Sequence, residues 1–139
     1  MFGHHDLGSR TVSADVLLRE IVAAARLVHE TLGPGFLESI YVRALLSELR
    51  SRGVFIERER QVKIWYRSHV VGKHKLDLGV EGTVIVELKA NHGLVPVHAA
   101  QLRSYLQATD CRAGILLNFG TPALQWEVLH RQEIAEKTE

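Results

Sequence analysis

The sequence is short of several residue types, and each shortage excludes something. It has one cysteine in 139 residues. Cys111 therefore has no intrachain disulfide partner, which points to a reducing compartment and, on this reading, the cytoplasm. No run of about 18 apolar residues occurs, so no membrane-spanning helix is expected and no membrane partner is implied. Neither charge sign dominates: 17 basic against 16 acidic residues leave a net charge of +1, so the overall balance does not announce a nucleic-acid binder. The opening stretch MFGHHDLGSR has no apolar signal core and no cleavage pattern. It reads as a flexible tail over residues 1–12, with the paired His4 and His5 a chance neighbourhood. His69, His74, His92 and His98 match no familiar zinc spacing and lack thiolate partners. No Ser-His-Asp order is evident, and Cys111 falls on a strand of the core, so no covalent intermediate is expected.

What is present fits one globular domain over residues 13–139. Apolar residues make up 46% and charged residues 24%. Ser13 is a good N-cap for a helix to Leu32, in which Val16, Leu17, Ile21, Ala24, Leu27 and Val28 recur at helical spacing. The GPG at Gly33–Gly35 stops it. A second helix is expected over Phe36–Arg52, ended by Gly53. Strands follow at Phe55–Tyr66, Val70–Val80 and Val84–Ala90, then a helix opened by Pro96 and running to Thr109. AGILLNF and LQWEVLH complete the chain as strands. The order α-α-β-β-β-α-β-β predicts an α/β fold.

In the second helix Leu37, Ile40, Tyr41, Ala44, Leu45 and Leu49 form an apolar arc, and Glu38 falls inside it. A carboxylate there needs a partner, a proton or a metal. In the DLGVEGTVIVELKA hairpin the turn length decides which residues cooperate. A two-residue loop mixes polar with apolar side chains. A three-residue loop, Glu81-Gly82-Thr83, pairs Val80 with Val84, Leu78 with Val86 and Leu76 with Leu88, and sets Asp77 opposite Glu87. The second register is expected, with Gly82 at positive φ. Opposed carboxylates repel unless a cation lies between them, and oxygen donors suit Mg²⁺ or Mn²⁺. Lys89, two residues beyond Glu87, is expected on the same side, charged, orienting water and stabilising phosphate. On the next helix Gln101 and Tyr105 are four apart and share a face, Gln101 suited to hold water or a phosphate oxygen, Tyr105 to meet phosphate or fill the core. Between Arg50 and Lys75 eight basic residues face two acidic ones. Arg58, Arg60 and Lys63 in this segment are candidates for phosphate contact, against the plainer reading of a solvated hairpin face.

The ordered set Glu38, Asp77, Glu87-Leu88-Lys89, Gln101 and Tyr105 resembles the PD-(D/E)XK nuclease superfamily. QLRSY is similar to the Gln-x-x-x-Tyr motif of its RecB-like and lambda-exonuclease-like branch. GFLESIY, with Gly35, Glu38 and Tyr41, together with VIVELKA and PVHAAQLRSYL, resembles the GxxExxY protein family. Leu76 stands where the superfamily name has proline. The resemblance implies a restriction-endonuclease-like core, a central mixed sheet flanked by helices. It implies Asp77, Glu87 and the Leu88 carbonyl as metal ligands, Glu38 as a further ligand or water anchor, Lys89 in catalysis and Gln101 in support. The function expected is hydrolysis of phosphodiester bonds of DNA by metal-activated water. The alternative is a non-catalytic nucleic-acid-binding module that keeps the fold. A homodimer covering an edge strand stays open.

Overall fold

The computed structural model describes residues 12–131. The expected tail lies outside them except for Val12. Helix α1 spans Ala14–Leu32 and α2 Glu38–Ser51; strands β1, β2 and β3 span Ile56–Tyr66, His69–Val80 and Val84–Lys89; helix α3 spans Pro96–Gln107; β4 and β5 span Ala113–Asn118 and Gln125–His130. The element order and type are as expected, with boundaries shifted by one or two residues. Ser13 caps α1 by accepting a hydrogen bond from the Val16 N–H at 3.2 Å. Gly53, at φ 78°, follows α2 in the left-handed region.

The sheet has the order β1-β2-β3-β4-β5 and is mixed: β3 and β4 run parallel, and every other neighbour pair is antiparallel. Strand alternation divides its side chains between two cores. Leu78, Val80, Val84, Val86, Leu88, Ile115 and Leu117 pack with Ile21, Ala24, Tyr41 and Leu45 of α1 and α2. Ile85 and Leu116 point the other way, to Leu102 and Leu106 of α3. The helices therefore lie on both faces of the sheet, with α3 the crossover between the parallel strands β3 and β4.

The β2–β3 turn takes the three-residue register. Val80 pairs with Val84 and Leu78 with Val86. Glu81 and Gly82 both have positive φ, 52° and 62°, and the Thr83 N–H closes the turn on the Val80 carbonyl at 2.9 Å. Two expectations need correction beyond that point. The ladder stops at Leu78 and Val86, so Asp77 is not a ladder partner of Glu87, nor Lys75 of Lys89. Leu76 and Leu78 also do not share a face: Leu76 belongs to the α3 core and Leu78 to the α1–α2 core. The cause lies at Asp77, whose N–H is taken by a side chain, while Glu59, at the corresponding point of β1, adopts φ 55°. Regular alternation breaks there and β2 parts from β3. β3 meanwhile stays paired to β4 through Lys89 and Asn118.

The segment leaving β3 is held tightly. Asn118, fully buried, accepts from the Asn91 N–H at 3.0 Å and donates to the Asn91 carbonyl at 3.1 Å. A Cβ on Gly120 would stand 2.6 Å from the Ala90 carbonyl carbon and closer still to the Asn91 carbonyl oxygen. These neighbours are backbone and cannot swing away. Gly120→Ala is therefore expected to destabilise the fold by about 1–3 kcal/mol or more, the range for forced overpacking, read as a lower urea midpoint with an unchanged slope.

Candidate active site

The parted ends of β2 and β3 form the candidate site. Where the ladder stops, two carboxylates replace it. Glu87 Oε2 accepts from the Asp77 N–H at 2.8 Å, and Asp77 Oδ2 accepts from the Leu88 N–H at 2.8 Å. Each strand's acid thus satisfies the other strand's backbone. A backbone N–H at a parted edge would otherwise lack a partner, so the same contacts explain the local geometry and the closeness of the two acids. Glu87 is 7% exposed.

Burial, first, raises the pKa of Glu87; the charge of Asp77 adds to this, while the Asp77 N–H and His74 oppose it. Burial likewise raises Asp77 above its ordinary range, against the pull of the Leu88 N–H, Lys89 and His74.

Glu38 arrives from the other direction. It is the first residue of α2 and is exposed, so it does not sit within a buried arc as the helix periodicity suggested. The helix starts two residues later than expected because Leu37 is extended, at φ −68° and ψ 150°. Desolvation and then Asp77 raise Glu38's pKa, while Lys89 and the Ala90 N–H lower it. Glu38, Asp77 and Lys89 are therefore within electrostatic reach of one another.

The spacing of Gly35, Glu38 and Tyr41 has a local explanation. Gly35 sits at φ 117°, a conformation that side chains oppose. Tyr41 is fully buried and stacks on Phe119, centroids 4.7 Å apart. Its hydroxyl donates to the Gly33 carbonyl and accepts from the Phe36 N–H. The tyrosine thus pins the loop that launches α2, and the launch sets the place of Glu38.

His74 was weighed in the sequence only as part of a rejected zinc set. In the structure its ring stacks on Tyr105, centroids 3.7 Å apart and planes 7° off parallel, and its Nε2 lies 3.1 Å from Glu87 Oε1. Strict alternation separates positions 74 and 77, and the break at Asp77 hides the relation. Tyr105 is half-buried, its pKa raised by burial and then by Glu87. Gln101 is exposed, one turn before Tyr105 on α3. His98 is occupied elsewhere: its Nδ1 accepts from the Val95 N–H at 3.1 Å at the start of α3. Arg58 and Lys63 are exposed. Arg60 is half-buried, with its guanidinium 3.9 Å from Cys111 Sγ and 3.9 Å from Glu57.

Among the described residues, no three His, Cys, Asp or Glu side chains stand grouped as a ready metal cage. The donor chemistry nevertheless fits a hard divalent cation. Asp77, Glu87 and the Leu88 carbonyl offer oxygen only, and burial, which raises the pKa of both carboxylates, is a penalty that a bound cation would offset. Asp77 Oδ1 has no hydrogen-bond partner among the described residues, while Glu87 Oε1 is engaged by His74.

With that geometry in place, the chain's kinship is clear. The profile of the PD-(D/E)XK nuclease superfamily matches residues 15–131, and the chain belongs to that superfamily. Its nucleases generally use divalent metals. The fold also resembles the crystal structure of SSO0001, with a TM-score of 0.52 and 23% identity over 72% of this chain and 56% of that one, so the likeness spans little more than half of that chain. The structure of an alkaline exonuclease from Laribacter hongkongensis aligns with a TM-score of 0.49 and 13% identity, over 91% of this chain and 77% of that one. No curated protein matches the sequence.

The raised carboxyls set a pH dependence. In the window above the ordinary carboxylate values, the folded protein retains protons that the unfolded chain has released. Stability contributed by these groups therefore falls as pH rises through that window. Asp77→Asn removes one charge, relieves Glu87 and keeps an acceptor oxygen for the Leu88 N–H. In chelator the variant is expected to be at least as stable as the parent at about pH 8, with a smaller advantage at about pH 5. Urea melts at the two pH values check both the sign and the trend.

Proposed function

We propose that this chain is a Mg²⁺- or Mn²⁺-dependent nuclease that hydrolyses phosphodiester bonds of DNA, in the GxxExxY family and the RecB-like, lambda-exonuclease-like branch. The observation that carries the reading is the reciprocal pair of bonds between Asp77 and Glu87 at the parted strands. In a superfamily of nucleases, two acids held this close at the end of one strand pair, with Lys89 two residues beyond Glu87, support reading them as the D…ExK pattern. Asp77, Glu87 and the Leu88 carbonyl would hold the cation. Bound there, a divalent ion supplies Lewis-acid chemistry: it neutralises phosphate charge and lowers the pKa of water.

The rest falls to the chain's own side chains. Lys89, whose charge is felt by both Glu38 and Asp77, faces the developing negative charge and orients water. Glu38 anchors water or completes the oxygen set. Gln101 and Tyr105 lie one helical turn apart on α3 and bracket a substrate phosphate. Arg58 and Lys63 contribute contacts to the nucleic-acid backbone, and Arg60 supports them from its half-buried position. The domain from Ser13 onward is the working unit, placed in the cytoplasm.

One observation favours a second reading, a non-catalytic nucleic-acid binder. Both acids already serve the backbone. Metal-dependent stability and cleavage separate the two. A ligand that binds only the folded state stabilises by about 2.7 kcal/mol at one hundred times its Kd. The parent is expected to melt higher in millimolar Mg²⁺ or Mn²⁺ than in EDTA and to cleave labelled DNA, whereas Asp77→Asn should lose the metal-linked gain and at least about 100-fold in cleavage, the scale of lost electrostatic catalysis. A parent that neither gains stability from metal nor cleaves single-stranded, duplex, nicked or branched DNA supports the binding module instead.

A further inference from the structure

The β1–β2 hairpin is far longer than the sheet needs. β1 and β2 are paired from Ile56–Val80 out to Tyr66–His69, yet β2 meets β3 only over Leu78–Val80. The outer half of the ribbon therefore runs on without a third strand. One side of it is used: Val62 is buried with Leu76 in the α3 core, Ile64 packs against that core, and His74 stacks on Tyr105.

The other side has an unusual makeup. Lys63 lies directly opposite Lys73, and Lys75 is the next residue on that side, opposite Gln61. Directly opposed like charges weaken a strand pair unless an anion sits between them. None of these three lysines is in an ion pair among the described residues. The acids of β1, Glu57 and Glu59, lie toward the base of the ribbon, Glu57 opposite Gly79. Trp65, two residues beyond Lys63 on the same strand, shares its side and pairs with Val70 across a bulge. Trp65 is 59% exposed. Val70 and Val71 are exposed as well, and at the tip the Arg67 guanidinium lies 5.4 Å from the exposed Tyr66 ring.

Unpaired lysines interleaved with an exposed indole match the needs of a strand whose phosphates and base faces are both accessible. A ribbon built for the major groove of a duplex would present amide and guanidinium groups to base edges; this side carries a single amide, Gln61 opposite Lys75, and its outer end is an exposed indole. We infer that the outer β1–β2 hairpin is an arm for unpaired nucleotides: Trp65 stacks a base, and Lys63, Lys73 and Lys75 seat the phosphates leading toward Asp77. The inference rests on the nuclease reading and narrows its substrate to single strands or to duplexes carrying an unpaired stretch.

The test is equilibrium binding in EDTA, where no cleavage intervenes, with an oligothymidylate of about 16 nucleotides, the upper end of single-strand site sizes, and a mixed-sequence duplex of equal length. The parent is expected to prefer the single strand. Trp65→Ala should weaken that binding at least about fivefold, from the range for losing one stacked base, and Trp65→Phe should restore most of it. Lys63→Gln with Lys73→Gln should flatten the slope of log affinity against log salt by about 1.4, two single-strand phosphate contacts. In a Trp126→Phe background Trp65 is the sole tryptophan, and its fluorescence should be quenched on binding.

Unchanged single-strand affinity in Trp65→Ala, or a parent preference for the duplex, overturns the arm. So does concentration-dependent self-association that Trp65→Ala abolishes while oligonucleotide binding persists, since the surface would then serve a second copy. Cleavage assays on the same proteins keep the two readings apart. If the parent cleaves DNA with metal but Trp65→Ala changes neither binding nor KM, the arm fails and the nuclease stands. If the parent binds the oligonucleotide through Trp65 but never cleaves, the arm stands and the nuclease fails.

Discussion

The exchange of hydrogen bonds between Asp77 and Glu87 is the constraint on which the rest of the site depends. Two strands that part inside a sheet leave N–H and carbonyl groups facing a gap, and such groups are costly when buried and unpaired. Here the gap is bridged by the two acids, at 2.8 Å in each direction. The backbone gains partners, but at the cost of burying two carboxylates: burial raises the pKa of both, and the charge of Asp77 adds to the rise at Glu87. A cation held between the two acids, as proposed for this site, would offset that cost.

The surrounding fold holds this opening from three sides. β4 keeps β3 straight through the parallel pairs ending at Lys89 and Asn118, and the Asn118 side chain fixes Asn91 just beyond. From the α1–α2 side, Tyr41 locks the loop before α2, so that Glu38 begins the helix within electrostatic reach of Asp77. From the α3 side, Tyr105 and His74 stack and bring a ring nitrogen to Glu87. None of these supports lies on a mobile tip; they come from helices and strands packed into the two cores, as precise positioning of reactive groups requires.

Much of this was legible in the chain. Element order followed from period and punctuation, and the three-residue turn followed from the requirement that Val80, Leu78, Val84 and Val86 share a face. The same reasoning failed two residues further on. Alternation assumes an unbroken ladder, and it carried Leu76 to the wrong core because a side chain, not a strand, satisfies the Asp77 N–H. Glu38 shows the matching limit for helices: a periodic arc cannot tell a first-turn residue, open to solvent, from one buried at mid-helix. His74 was beyond reach because its role depends on a stacking partner 31 positions away and on that same break in alternation. Local patterns thus located the elements, while the irregularities that make the site belong to tertiary structure.

The central claim is that the opening between β2 and β3 holds a divalent cation on Asp77 and Glu87. The most direct test is anomalous diffraction from crystals of the protein grown with Mn²⁺. The account predicts one strong peak within bonding distance of a carboxylate oxygen of Asp77, one of Glu87 and the Leu88 carbonyl, with the His74 contact to Glu87 Oε1 lengthened or exchanged. Crystals in which Mn²⁺ binds elsewhere or not at all, with both acids still on the Leu88 and Asp77 N–H groups, would contradict it.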